Sequence, residues 1–504
     1  MKGFNLPFLL GASACLASCM SMAPSSSQTE VVKRLPETFS AGTSTETYAP
    51  RQWWAAFEDP TLDALVDDAL RDNLDIAEAA ARLNRARAQA RVSKASLFPS
   101  VDASAGATST SNPLAGSAFG NLGSFPIDRI ENDSFSTGVA ASYELDLFGR
   151  ARNDFAAAKS DALASRFDYQ AVQLSAAAET ISTYFDLVDT ERQLTLAERT
   201  SSILQDRAKR TEERFQRGVA ESFELYQVRQ DLRATEASIP QLRSQLSSTK
   251  GRLAVLVRQY PDELEQRLEG PLRPRLVFDP IPAGLPIDLL AQRPDVAAAW
   301  SRFEAARLRI GARRAERFPR ISLSGSLGTQ ANNADDAFDF ANNWTRSLAA
   351  NLLAPLFDAG RISANIKIAR ANYDEQAASY SRTVLNALRE VETALTDYDE
   401  QRDRYLLIAR QLDEARSALD LQEQRFASGV GSYIAYLDAL RTTYQVEAAL
   451  SSAARSAALA RLGVHRALGG DWGGDRTSDA PAGPAVLPPS PESAAPVVAA
   501  EKDL

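Results

Sequence analysis

The chain has 504 residues, of which 24% are charged, and its formal net charge at pH 7 is −9. This acidic balance gives no reason to expect a nucleic-acid partner. One histidine and two cysteines leave no cluster for a metal site or a histidine-based catalytic centre. We therefore expect no enzyme activity, no cofactor and no metal, and we interpret the single histidine, His465, as structural.

The first 18 residues have the pattern of an export signal. A basic start is followed by an apolar run from Phe4 to Leu10 and by small residues before Cys19. The ending resembles the bacterial lipobox, which predicts cleavage before Cys19 and a lipid anchor on it. The alternative is an ordinary signal peptide with a chance cysteine. Residues 19–50 form a polar tether, and Met20, which is not Asp, favours the outer membrane.

In the rest of the chain, the same order of predicted helices and strands occurs twice. Alternating residues predict strands, long runs without Gly or Pro predict helices, and Gly marks where helices stop. The first half predicts a helix over 61–98, strands at about 100–111 and 134–147, a long helix over 151–217, a tip turn at 217–223 and a helix to 239. The second half predicts a helix over 295–318, strands at about 320–330 and 344–354, a long helix over 362–428, a tip turn at 428–434 and a helix to 462.

Matching junctions support an internal duplication. Gly149 and Gly218 in the first half are as far apart as Gly360 and Gly429 in the second. The predicted organisation is a first repeat at 51–258, a connector or equatorial region at 259–294, a second repeat at 295–470 and a disordered tail at 471–504.

The second long helix carries an apolar residue at every seventh position from Val384 to Phe426. This period predicts a helix whose buried seam supercoils with its neighbours. At ~1.5 Å per residue, a helix of this length extends on the order of 100 Å. A coiled-coil dimer is the simpler interpretation of periodicity alone.

Strands of this length suit a tilted crossing of a bilayer, but open strand edges do not suit lipid. About eight strands are needed to close a barrel, and each chain has about four. Three chains sharing one barrel would supply about twelve, which predicts a trimer with a shared barrel. The alternative is a surface hairpin on a soluble helical protein. The predicted fold class is mainly α with a small membrane β-barrel.

At this point the chain, from about Trp53 to Gly470, resembles the outer-membrane factor family. The features that carry the resemblance are the lipobox, Trp53-Trp54 with Phe57-Glu58-Asp59-Pro60, and the duplicated Phe-Pro, Gly-Arg and Arg-Phe-x-x-Gly-Val junctions. The family implies a homotrimer with a shared 12-stranded β-barrel in the outer membrane and a long periplasmic α-helical barrel. It also implies a periplasmic adaptor and an inner-membrane pump as partners.

The resemblance also implies site residues at the helical tips. Gly218, Val219, Gly429 and Val430 would meet the adaptor, whereas Ile434, Asp438 and Arg441 would form the periplasmic gate. The three gate positions are i, i+4 and i+7, so they share one helical face. Without the resemblance, the simpler interpretation is that Asp438 and Arg441 form an ordinary ion pair on the helix surface. The first repeat has Phe223 and Gln227 at the matching positions, and Ala435 makes a second acidic ring doubtful.

The expected function is that of a passive exit duct in a tripartite efflux system of the lipoprotein branch, anchored at the outer membrane and extending into the periplasm. A type I secretion duct is the nearest alternative. A lipid-anchored periplasmic coiled-coil scaffold is the alternative from a different class, but it would not need duplicated strand pairs with long polar loops between them.

Overall fold

A computed structural model describes residues 22–25, 29–36, 38–39, 53–113, 129–268, 276, 278–279, 281, 286 and 292–470. The predicted signal peptide, Cys19 and the predicted disordered tail lie outside the described residues, as do most of the tether and parts of the connector. Among the described residues, no helix combines the length and the apolar character needed to cross a membrane.

The described elements follow the predicted order twice. Before and within the first repeat lie α1 (Glu30–Lys33), a 3-10 turn (Trp53–Phe57), α2 (Pro60–Asp72), α3 (Leu74–Ala95), β1 (Ser100–Pro113), β2 (Arg129–Leu145), α4 (Arg150–Gln216) and α5 (Ser222–Leu256). After them come α6 (Pro261–Arg267), α7 (Pro294–Ala315), β3 (Arg320–Ala331), a 3-10 turn (Asp335–Phe338), β4 (Trp344–Leu353), α8 (Arg361–Ala427) and α9 (Tyr433–Ala467).

The two halves also agree in length. Helices α4 and α8 each have 67 residues, and α5 and α9 each have 35. The duplicated unit of helix, two strands, long helix and shorter helix is therefore confirmed.

Three helix boundaries differ from the sequence prediction. The predicted helix over 61–98 is two helices, because Asn73 ends α2 in extended backbone and its Oδ1 accepts from the backbone N–H groups of Asp75 and Ile76 at 2.8 and 3.3 Å. Helix α5 continues through Pro240, and α9 continues through Gly463. In both cases the turns beyond the breaker bury apolar residues, and this burial outweighs the weaker helix preference of the breaker.

The four strands form one antiparallel sheet in the order β1-β2-β3-β4. The register places Ala103 opposite Val139, Val139 opposite Leu327 and Leu327 opposite Arg346. Residues directly opposite each other share a face, so the alternating apolar sets of β1, β2 and β3 lie together on one face. The other face is built from small and polar residues, as the row of Ser104, Gly138, Gly328 and Thr345 shows.

The described residues fall into two compact units, to both of which α4 and α8 contribute. The first contains residues 22–25, the described parts of 83–164, and residues 300–379, and therefore the sheet. The second contains the described parts of 28–82, 165–299 and 380–470.

The core of the second unit packs Trp53, Phe57 and Tyr184 against the last turns of α9. The Trp53 ring stacks on His465 with ring centroids 5.5 Å apart. The heptad positions of α8 face inward: Val384, Val391, Tyr398 and Leu412 are buried. Most of this seam is therefore covered within the chain, whereas Tyr405, Leu419 and Phe426 at the other heptad positions are half-buried.

Candidate functional site: the helical tips

The turn between α4 and α5 is set by Gly218, which has a φ of +76°. The N–H of Gly218 donates to the carbonyl of Phe215 at 2.9 Å, and that of Val219 donates to the carbonyl of Arg214 at 3.0 Å. This pair of bonds is the Schellman motif, which requires a left-handed residue where glycine is most stable. The predicted tip turn is thus a helix stop that places Val219 outside the helix, with 63% of it exposed.

The turn between α8 and α9 repeats this geometry. Gly429 has a φ of +75°, and the N–H groups of Gly429 and Val430 donate to Phe426 and Arg425 at 3.0 and 3.1 Å. Val430 is 73% exposed. Ser432 then caps α9 by accepting from the N–H of Ile434 at 3.2 Å. Each repeat therefore presents one exposed valine beside a rigid turn.

A second hydrophobic cluster lies behind these turns, and we call it the tip cluster. It joins helices of both repeats, and its buried members are Leu204, Ala208, Val228, Leu232, Tyr433, Tyr436 and Leu437. Helices α4 and α5 of the first repeat therefore pack against α9 of the second repeat.

Polar contacts close the rim of the tip cluster. The hydroxyl of Thr211 donates to the Tyr433 hydroxyl at 3.0 Å, and the guanidinium of Arg207 lies 4.9 Å from the centre of the Tyr436 ring. Arg207 also pairs with Glu423 at 2.8 Å. Burial raises the pKa of both tyrosines above the ordinary value of 10, at which both hydroxyls are already neutral at neutral pH.

The three predicted gate residues lie on the exposed side of α9. Ile434 is exposed, and the side chain of Asp438 is 73% exposed. Arg441 contacts two carboxylates, with Nη2 at 3.2 Å from Oδ2 of Asp231 and Nη1 at 3.8 Å from Oδ1 of Asp438. Its shorter contact is therefore to the first repeat, and that contact joins α9 to α5.

Asp231 was not among the gate residues predicted from the sequence. The repeat offset of 211 residues maps Asp438 onto Gln227 and Arg441 onto Gln230, neither of which is charged. The signal that would have found it is helical: Phe223, Gln227 and Asp231 are spaced by four residues and so share a face. A cavity of about 260 Å³ lies beside the Arg441–Asp231 contact, and Leu437 and Tyr444 are among its lining residues.

Most of the first repeat and all of the second fall within the match to a known family. The model for the outer membrane efflux protein family matches residues 65–257 and 285–470. The chain belongs to the outer membrane efflux protein family. It is accordingly an outer-membrane protein, and both tip turns and all three gate positions lie inside the matched ranges.

Individual relatives of the efflux family agree over most of the chain. The pyoverdine export outer membrane protein OpmQ of Pseudomonas aeruginosa is 30% identical over 427 residues, which cover 84% of this chain and 88% of that protein. The outer membrane protein OprJ of the same organism is 32% identical over 424 residues, covering 83% and 86%.

A solved structure of the efflux family has the same fold. The CmeC outer membrane channel of Campylobacter jejuni superposes with a TM-score of 0.83 at 25% identity, and the match covers 89% of this chain and 95% of that chain. The mainly α fold with a few antiparallel strands is therefore that of an outer-membrane efflux channel.

Proposed function

We propose that this chain is the outer-membrane channel subunit of a tripartite efflux system, a passive exit duct for small molecules. Three copies form the duct, a periplasmic adaptor contacts it, and an inner-membrane pump supplies the energy. Membership of the efflux family supports this role. A relative named for pyoverdine export favours a small-molecule duct over a type I secretion duct.

The observation that carries the proposal is the sheet. Its apolar face is open in the single chain, with Leu327 61% exposed and Leu348, which lies opposite Gly325 of β3 on the same face, 89% exposed. Within the described residues β1 pairs only with β2, and β4 pairs only with β3. An open apolar face suits lipid, whereas an unpaired edge does not.

Pairing β1 of one copy with β4 of the next removes every open edge. Since about eight strands are the minimum for a barrel, three copies with about twelve strands are enough. The apolar face, which also carries Arg346 opposite Leu327, would then contact lipid, and the row of small and polar residues would line the lumen.

The anchor belongs to the same proposal. Acylation of Cys19 would hold the N-terminus of the mature chain at the outer membrane, because each buried methylene adds about 0.8 kcal/mol of membrane affinity. The two exposed valines, Val219 and Val430, with Gly218 and Gly429 behind them, are proposed as the surface that meets the adaptor.

The gate is proposed at the tips of the second repeat. In a trimer, Ile434 would form an apolar ring that excludes water, and Asp438 would form a ring of carboxylates that favours cations. The contact from Arg441 to Asp231 supports a closed tip, because it ties the gate helix α9 to α5.

The experiment is complementation of a strain that lacks this chain. We expect the strain to accumulate a fluorescent cation such as ethidium several-fold above its parent, and the plasmid-borne chain to restore the parental level. Secretion of a type I substrate protein, measured in the same strain, should not change. Unchanged ethidium accumulation together with lost protein secretion would contradict the efflux role and support the secretion duct.

A further inference from the structure

The described residues 22–25 lie against one face of α7. The Arg314 Nη1 donates to the backbone carbonyl of Met22 at 3.1 Å, and Arg307 donates to the carbonyl of Pro24. Arg307 is held in place by a bidentate pair with Glu304, and only 15% of its side chain is exposed. Two arginines on one helix thus bind backbone carbonyls of the same short segment.

Between the two arginines stands Gly311. Glycine in a helix interior costs about 1 kcal/mol relative to alanine, so its presence needs a reason. A Cβ at this position would lie 2.6 Å from the backbone nitrogen of Ala23 and 3.0 Å from its Cα. The two atoms of Ala23 belong to the backbone, so they cannot swing aside as the end of a side chain can.

The other two glycines inside long helices behave differently. A Cβ at Gly251 or Gly463 would have nothing within 4 Å. Arg307, Gly311 and Arg314 are spaced i, i+4 and i+7 and therefore share one face of α7. The close approach at Gly311 and the two arginine bonds agree in placing residues 22–24 on that face.

We propose that this face of α7 is a docking site for the chain's own N-terminal segment and that it fixes where the lipid anchor enters the membrane. The second part rests on the proposed acylation of Cys19. Cys19 precedes Met22 by three residues, and at ~3.3–3.6 Å per residue its Cα is limited to about 10 Å from Met22. A free tether from Cys19 to Trp53 would instead have a span on the order of 30 Å.

The docked segment and the sheet belong to the same compact unit. Arg314 precedes Arg320, the first residue of β3, by only six positions. The docked segment therefore brings the acyl chains to the start of a strand proposed to enter lipid, so that anchor and sheet insert at one place.

The first test measures access to the docked segment. An Ala23→Cys variant of the mature, detergent-extracted protein is labelled with a maleimide. We expect Gly311→Ala to raise the labelling rate at least tenfold, whereas Gly251→Ala should leave it unchanged. Equal rates in parent, Gly311→Ala and Gly251→Ala would overturn the docking site.

Gly311→Ala would also disturb Asn153, because a Cβ at position 311 would come within 3.0 Å of its Nδ2. A second variant therefore tests docking without this contact. Arg307→Ala with Arg314→Ala removes both bonds to the segment and leaves Gly311 in place. We expect this double variant to raise the labelling rate as well. Arg309→Ala is the control, since Arg309 pairs with Asp161 and not with the segment. If the double variant is labelled at the same rate as this control, the two arginines do not hold the segment.

The position of the anchor is tested by a distance. Spin labels at Ala23→Cys and Arg320→Cys should give a narrow distance distribution that broadens in the double variant, and a broad distribution in the parent would overturn a fixed anchor point. Mass spectrometry of the N-terminal peptide reports acylation separately. A free Cys19 thiol would refute the lipid anchor, while the labelling and distance results would still decide the docking site.

Discussion

His465 shows at the scale of one residue how burial suppresses an ionisation. Its ring is buried against Trp53 and Phe57. Burial, and after it the positive charge of Arg461, lowers the pKa of His465 from its ordinary value of 6.5 to about 3. The imidazole is therefore neutral in the folded protein throughout the physiological range, which is what a structural histidine requires.

This shift predicts an acid-dependent loss of stability. In the unfolded chain the imidazole binds a proton below pH 6.5, whereas in the folded chain it does so only near pH 3, so folding stability falls as the pH drops through this window. At pH 4 the loss from this one group would be about 3 kcal/mol.

The measurement compares the parent with His465→Phe, which keeps a ring against Trp53 but cannot be protonated. Denaturant unfolding between pH 7 and pH 4 should show a steeper decline for the parent. The chain has one histidine, so the difference between the two profiles belongs to this residue. Parallel profiles would show that position 465 contributes no proton linkage.

At the scale of elements, the tips are held by one hydrophobic cluster and by polar contacts at its rim. The tip cluster packs α4 and α5 on α9, and the Arg441–Asp231 pair lies at its edge. A half-exposed ion pair contributes only about 0.2–1 kcal/mol. A contact of this strength is weak enough to break if the tip opens as the proposed function requires.

We predict that Arg441→Ala or Asp231→Ala loosens the proposed closed tip. A loss of up to 1 kcal/mol per chain would raise the open population up to about fivefold for each chain. Single-channel conductance in planar bilayers, and the entry of large antibiotics into cells, should both rise.

The matched control is Arg416→Ala, which breaks the Arg416–Glu447 pair of 2.6 Å between α8 and α9 inside the second repeat. It should leave conductance unchanged. A conductance that stays at the parental level in both Arg441→Ala and Asp231→Ala would remove this pair from the gate.

At the scale of the whole molecule, the sheet of the single chain leaves one apolar face and two strand edges without a partner among the described residues. Its apolar face is exposed, and each outer strand has one partner within the described residues. A stable state in a bilayer requires that these edges be paired. The shared barrel of the proposed function answers that requirement through copies of the same chain.

The corresponding prediction concerns mass. Light scattering of the detergent-extracted mature protein, with the detergent subtracted, should give the mass of three chains. Replacing Cys19 by Ser should leave the protein membrane-embedded, because the barrel and not the lipid would hold it. A monomer that stays soluble without detergent after this replacement would remove the barrel and favour a lipid-anchored scaffold.

Local patterns predicted most of the fold. Alternation, heptad spacing and the glycines at 149, 218, 360 and 429 act over a few residues, so they identified the strands, the long helices, the turns and the duplication. The family resemblance selected the proposed gate residues, which lie on α9. Boundaries at Asn73, Pro240 and Gly463 were wrong, because there a side-chain cap or distant burial outweighs the local preference.

Contacts between distant residues could not be predicted in this way. Asp231 meets Arg441 across 210 positions, and Ala23 meets Gly311 across 288. The register that gathers the apolar residues of β1, β2 and β3 on one face also depends on strand pairing. Such pairings arise when helices and strands pack, and no periodicity along the chain encodes which two surfaces will meet.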